Sequence, residues 1–116
     1  MSVSEPLVQA SLIGEAIDGG PALVFVADED MRYAAVNAYA CELLGYAREE
    51  LLGLSVTDVA CYPEAGDEYD ELLDRREAEG TAELTRKDGS TFPVRYLATK
   101  TTIAGMPYYV SICRPE

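Results

Sequence analysis

At 116 residues, 48% hydrophobic and 26% charged, the chain has the length and composition of one ordinary folded domain, with material for a single core. Its 21 acidic and 9 basic residues leave a net charge of −12, which argues against nucleic acid and anionic membrane as direct partners, because little here could neutralise phosphates. The absence of histidine removes every mechanism that needs an imidazole within the chain.

Other exclusions follow from position. The first basic residue is Arg32, so the start lacks the positive flank of a signal peptide. The longest uncharged stretch, Thr101 to Cys113, is 13 residues with Gly105 and Pro107 inside it, too short and too broken to span a bilayer. Cys41, Cys61 and Cys113 are widely spaced and form no CxxC pair, so they suggest neither zinc nor a disulfide framework. They read as three reduced, mostly buried thiols of a cytoplasmic protein.

In chain order, Pro6 to Asp18 places Leu7, Ala10, Ile13 and Ile17 at helical spacing and stops at Gly19-Gly20. Ala22 to Ala27 is a short apolar run rich in strand formers, closed by the acidic turn Asp28-Glu29-Asp30, and Arg32 to Val36 follows as its hairpin partner. Asn37 stands where a helix N-cap belongs, before a helix Ala38 to Leu44 that ends at Gly45. A short helix Ala47 to Leu52 ends at Gly53, and Ser55-Val56-Thr57-Asp58 reads as a capping box opening one more turn. Pro63 to Glu79 is expected as the longest helix, capped by Gly80, with Tyr69, Leu72 and Leu73 as a thin apolar stripe.

From Thr81 the period becomes two. Thr81 to Arg86, Phe92 to Thr99 and Met106 to Cys113 are three strands joined by turns at Lys87-Asp88-Gly89 and Ala104-Gly105, an antiparallel meander with one face buried. Charge changes with period: residues 1 to 80 hold 18 acids and 4 bases, and residues 81 to 116 hold 3 acids and 5 bases. The acids of the long helical segment read as a solvated face that keeps the protein soluble, or as a surface for a basic partner. The fold class is α+β: five antiparallel strands with short helices clasping one face, and an amphipathic helix in front. Residues 1–20 form a flanking helix and residues 21–116 the domain.

This order of elements, with VFVADEDMRYAAVNAYACELLGYAREELLG (Val24 to Gly53) and ELTRKDGSTFPVRYLATKT (Glu83 to Thr101), resembles the PAS domain family of sensory modules over about Pro21 to Arg114. Neither LLGY nor KDG alone is specific; two blocks in this order, joined by a helix, are. Asn37, Gly45, Gly53 and Gly89 also have plain architectural readings as cap, helix ends and hairpin residue. Two departures stand out. The family pattern implies a capping Ser or Asp at position 47, where Ala47 stands, and Arg114 is followed by Pro115-Glu116 instead of an Asp-Ile-Thr exit into a signalling helix. A fragment of a longer sensor and a standalone domain both fit that ending.

The resemblance implies a space between helices and sheet that holds haem, flavin, a small metabolite or nothing. Histidine-ligated haem is excluded by composition. Cys61, in Val-Ala-Cys-Tyr-Pro, lacks the Asn-Cys-Arg context of cysteinyl-flavin photochemistry, and a cinnamoyl group on Cys61 beside Tyr33 or Tyr39 is a remote option. Flavin held without covalent chemistry stays open, though no Trp is present to stack on it, and beside it a small organic or acyl ligand, or a filled core. Pocket candidates are Phe25, Tyr33, Cys41, Leu44, Val56, Val59, Leu72, Leu84, Tyr96 and Ser111, each of which also reads as ordinary core. Eight tyrosines against two phenylalanines favour a pocket with polar points, since a buried tyrosine needs a partner for its O–H.

The expected function is therefore a non-enzymatic, cytoplasmic sensory module that binds a small ligand or partner. It would signal as a homodimer through its N-terminal helix and sheet to an effector such as a histidine kinase, phosphatase, cyclase or transcription regulator. A ligand-free interaction scaffold is the alternative. A small isomerase or hydrolase pairing Asp28 or Asp58 with Tyr33 or Tyr96 is a third reading.

Overall fold

The structure, a computed structural model, describes residues 5–61 and 77–116. Helix α1 (Pro6–Asp18) leads into β1 (Leu23–Ala27) and β2 (Tyr33–Val36). Three short helices follow, α2 (Ala38–Leu44), α3 (Arg48–Leu51) and α4 (Val56–Val59), and then a two-residue strand β3 (Ala60–Cys61). The meander is β4 (Glu77–Thr85), β5 (Thr91–Ile103) and β6 (Met106–Pro115). These make one antiparallel sheet in the order β2-β1-β6-β5-β4-β3.

The expected α+β plan is present, with one strand more than the five expected: Ala60 and Cys61 pair with Leu84 and Glu83. Strict alternation puts Phe92, Val94, Tyr96 and Ala98 on the inner face of β5, and Leu23, Phe25 and Ala27 on the inner face of β1. Ala40, Leu44, Leu51 and Val59 of the short helices close over them in one continuous core. Burying the Leu, Val and Phe side chains among these stabilises the fold by about 1.5–3 kcal/mol each.

The end of the expected long helix is a strand instead. Glu77, Ala78, Glu79 and Gly80 lie in β4, opposite Thr99, Ala98, Leu97 and Tyr96, so Gly80 caps no helix. Ala78, Gly80, Ala82 and Leu84 form the inward alternate set, and small residues at its start hide the period of two. The long β5 offers backbone partners as far as Thr99, and sheet pairing overrides the helix propensity of Glu and Ala. The remainder of that expected helix, with Tyr69, Leu72 and Leu73, lies outside the described residues.

Local chemistry explains the short helices. Asn37 caps α2 through its Oδ1, which accepts from the Ala40 N–H at 3.1 Å, and Gly45 ends α2 in the left-handed region at φ 79°. Ala47 has no acceptor, and the reciprocal half of a capping box takes over: Glu50 Oε1 accepts from the Ala47 N–H at 3.0 Å, while Glu50 also meets Lys87 Nζ at 2.7 Å. At α4 the Asp58 carboxylate accepts from the Ser55 N–H at 2.8 Å and from its hydroxyl at 3.1 Å. These bonds hold the Glu50 and Asp58 carboxyls below the usual range, Glu50 chiefly through Lys87 and Asp58 chiefly through the Ser55 N–H.

Candidate functional site: a cavity under the helices

Between the inner face of the sheet and the short helices lies a cavity of about 40 Å³. Phe25 and Ala27 of β1 form one wall, with the Phe25 ring tilted 34° against Tyr33 of β2 at 5.2 Å between centroids. Met31 enters from the β1–β2 turn, which Asp28 shapes by accepting from the N–H groups of Asp30 and Arg32 at 2.9 and 3.0 Å. Met31 takes φ 61°, uncommon for a side-chain-bearing residue, and its carbonyl accepts from the Val56 N–H at 2.8 Å, tying that turn to α4. Val56, Ala60, Leu84 and Ala98 line the opposite side.

The floor is β6, where Tyr109, Ser111 and Cys113 occupy alternate positions and so share the inner face. Ser111 lies opposite Phe25 on one neighbouring strand and Ala98 on the other. Its hydroxyl is 3.5 Å from the Cys113 Sγ. Among the described residues no lining side chain carries a charge.

Phe25, Tyr33, Val56, Leu84 and Ser111 are thus brought together around the cavity. Leu44, Val59 and Tyr96 are buried in the core without lining it, and Cys41 packs half-buried against the core. Leu72 lies outside the described residues. Ala27, Met31, Ala60, Ala98, Tyr109 and Cys113 also line it, beyond the residues expected from sequence. For Tyr109 and Cys113 the signal is present in the sequence, since they stand two residues either side of Ser111 in a strand. For Met31 there is none, because a turn residue has no face until the turn is folded.

The thiols divide differently from expectation: Cys113 is buried, Cys41 half-buried, and Cys61 exposed on the short β3. Burial pushes the Cys113 thiol up to about 11 from its ordinary 9.0, against a smaller lowering by the Ser111 hydroxyl. Below pH 9.0 the thiol is neutral in both folded and unfolded chains; between there and about 11 only the unfolded chain ionises, so stability falls as pH rises. The difference between the folded and unfolded thiols is worth about 2–3 kcal/mol at the top of that window. Urea unfolding of Cys113→Ala at about pH 8 and pH 10.5 is expected to show a flatter decline than the parent chain.

The Asp28 and Asp58 carboxylates do not line the cavity; both bind backbone N–H groups of their own turns. The acid–tyrosine pairs of the hydrolase reading are therefore not assembled around the cavity. Cys61 is not among the lining residues.

A second feature adjoins the cavity through β1. Asn37 is buried and its side chain makes four hydrogen bonds: Oδ1 accepts from Val24 and Ala40 N–H groups at 3.0 and 3.1 Å, and Nδ2 donates to the Ile17 and Ala22 carbonyls, each at 2.8 Å. Asp18 adds a second tie, accepting from the Ala38 N–H at 2.8 Å and meeting Arg48 Nη2 at 3.3 Å. The C-terminal end of α1 is thereby joined to the first strand and first short helix of the domain. The remainder of α1 contributes no buried residue.

A six-stranded antiparallel sheet with short helices over one face and a helix tied at its entrance defines a class of small α+β domain. The PAS domain family model matches residues 21–114, and the chain belongs to the PAS domain family. Among solved structures it is similar to the PAS domain of an HTR-like protein from Haloarcula marismortui, at 24% identity and TM-score 0.82, covering 93% of this chain and 92% of that one. A PAS domain from a two-component sensor histidine kinase matches at 16% identity and TM-score 0.83, over 97% of this chain and 100% of that one. An RNA-binding light-oxygen-voltage receptor matches at 16% identity and TM-score 0.82, over 99% of this chain and 35% of that one. At these identities the likeness establishes the fold. No curated protein matches the chain in sequence. Among the described residues, no helix is long and apolar enough to cross a membrane.

Proposed function

We propose that the chain is a non-catalytic sensory and interaction module that works as a homodimer and reports the state of its cavity to an effector domain or partner protein. The observation that carries this reading is α1. Its 13 residues have no buried member, and Leu7 and Ile13 are 83% and 68% exposed. A lone helix of that length is marginal in water, so its apolar residues need a cover. The outer face of the sheet supplies one of matching character: Val24, Val26, Val110, Ile112 and Leu97 stand on adjacent strands, with Ile112 beside both Val24 and Leu97.

Charge supports a second copy as the cover. Helix α1 holds no basic residue and keeps Glu15 exposed, with Asp18 already engaged by Arg48, whereas Arg95 and Arg114 lie directly opposite each other on β5 and β6, both exposed. Facing like charges are unfavourable until an anionic surface joins them. The Asn37 and Asp18 ties give the cavity-bearing domain a rigid handle on α1, through which a change at β1 would reorient the dimer.

Ile13→Glu is expected to convert dimer to monomer at about 100 μM without unfolding the chain, because a site exposed in the single chain is altered. Sedimentation equilibrium decides it: a monomeric parent chain at that concentration would remove the dimer reading. The small size of the cavity favours one second reading, a ligand-free scaffold, in which native mass spectrometry of the purified chain finds no retained small molecule.

A further inference from the structure

The cavity chemistry carries a narrower inference, which rests on reading that cavity as the ligand site. We propose that it takes a neutral molecule of about three or four heavy atoms bearing one hydrogen-bonding oxygen, a short-chain ketone, aldehyde or alcohol, with that oxygen at Ser111.

Size sets the first limit. About 40 Å³ exceeds what one water needs and is far below the roughly 150 Å³ of an apolar cavity that admits benzene. Charge sets the second. No charged side chain lines the cavity among the described residues, so an ion entering it would lose hydration without gaining a partner among them. Lys100 keeps its ammonium over the Tyr109 ring, 5.8 Å from the centroid, and is not a lining residue. The net charge of −12 further disfavours anions.

Polarity sets the third. A serine hydroxyl offers one donor and two acceptor sites, and the hydrogen-bond neighbour of Ser111 among the described residues is the Cys113 thiol, a weak partner. Flanked by Phe25 and Ala98 on the adjoining strands, this hydroxyl has capacity left for a guest oxygen. The Phe25 and Leu84 side chains leave the rest of the guest in apolar surroundings.

Acetone and acetate have nearly the same shape and differ in charge, so they test the class directly. In amide NMR titrations of the full chain to about 100 mM, acetone is expected to give saturable shifts at Phe25, Ala98, Ser111 and Cys113, and acetate none. The small size of the guest limits its affinity to this weak range. Ser111→Ala should weaken acetone about threefold to tenfold, the loss of one neutral hydrogen bond, while xenon still enters its cavity. Acetate binding as well as acetone, or Ser111→Ala binding acetone like the parent, overturns the proposal. Xenon shifts without acetone shifts overturn the ligand class but leave the cavity as a ligand site. If neither probe enters, the ligand reading falls with the proposal.

Discussion

Asn37→Asp is expected to lower stability by about 3–5 kcal/mol at neutral pH, from orphaned and opposed buried polar groups. The replacement changes almost no volume. It exchanges the Nδ2 donor, 2.8 Å from both the Ile17 and Ala22 carbonyls, for an oxygen that faces those two acceptors with lone pairs and charge. A carboxylate could still accept from the Val24 and Ala40 N–H groups, so the loss falls on the side that ties α1. Because Asn37 is 7% exposed, water cannot readily replace the missing donors.

Protonation returns one O–H donor, so the defect should shrink as pH falls from about 8 to 5, the direction expected of a carboxyl whose charged form is disfavoured in the fold. Thermal unfolding across that range and amide exchange at Val24 and Ala40 provide the measurements. An Asn37→Asp chain as stable as the parent would show that this side chain does not join α1 to the domain. Against a total stability of about 5–15 kcal/mol for a small domain, the expected loss leaves a fold close to melting.

Gly20→Ala is expected to cost about 2–4 kcal/mol, from backbone strain and a steric clash together. Gly20 holds φ 117°, a conformation residues with a Cβ rarely adopt. A Cβ built there would lie 2.8 Å from Cδ1, 3.1 Å from Cε1 and 3.2 Å from Cγ of Tyr39. Tyr39 rides on α2 and packs against the core, so its ring cannot retreat freely. The two causes separate in a double-mutant cycle. In a Tyr39→Ala background, Gly20→Ala should lose its clash and keep only the backbone part, making the second substitution cheaper by about 1–2 kcal/mol. Equal costs in both backgrounds would remove the steric account.

Much of the fold is legible in the sequence because its signals are local. The alternation Phe92, Val94, Tyr96, Ala98 needs no tertiary information to put one face inward, and Asn37 before an apolar helix announces a cap. The failures share a cause. Glu77 to Gly80 are strand because β5 runs far enough to pair with them, a fact about a partner distant in sequence. Likewise Ala60 and Cys61 are a strand only because Leu84 and Glu83 arrive beside them.

The candidate site divides in the same way. Phe25, Tyr33, Val56, Leu84 and Ser111 can be chosen from periodicity and the family likeness, since each sits on the inner side of an identifiable element. Leu44, Val59 and Tyr96 share that inward sense yet fill the core, and inwardness alone cannot distinguish a cavity wall from a packed neighbour. Met31 lines the cavity because the Asp28 turn puts it in the left-handed region beneath α4.

The sequence by itself determined the class of fold, the hairpin turns, the missing imidazole and the acidic balance, because composition and short-range period follow from neighbours along the chain. The tertiary structure decided the rest: the size of the cavity, the lack of charge around it among the described residues, the exposure of α1 and the fourfold use of Asn37. Each of these depends on groups brought together from separate stretches, as when Asn37 binds Ile17, Ala22 and Val24 at once. An asparagine read along the chain shows one hydrogen bond to its own helix; the other three exist only once the chain has closed around it.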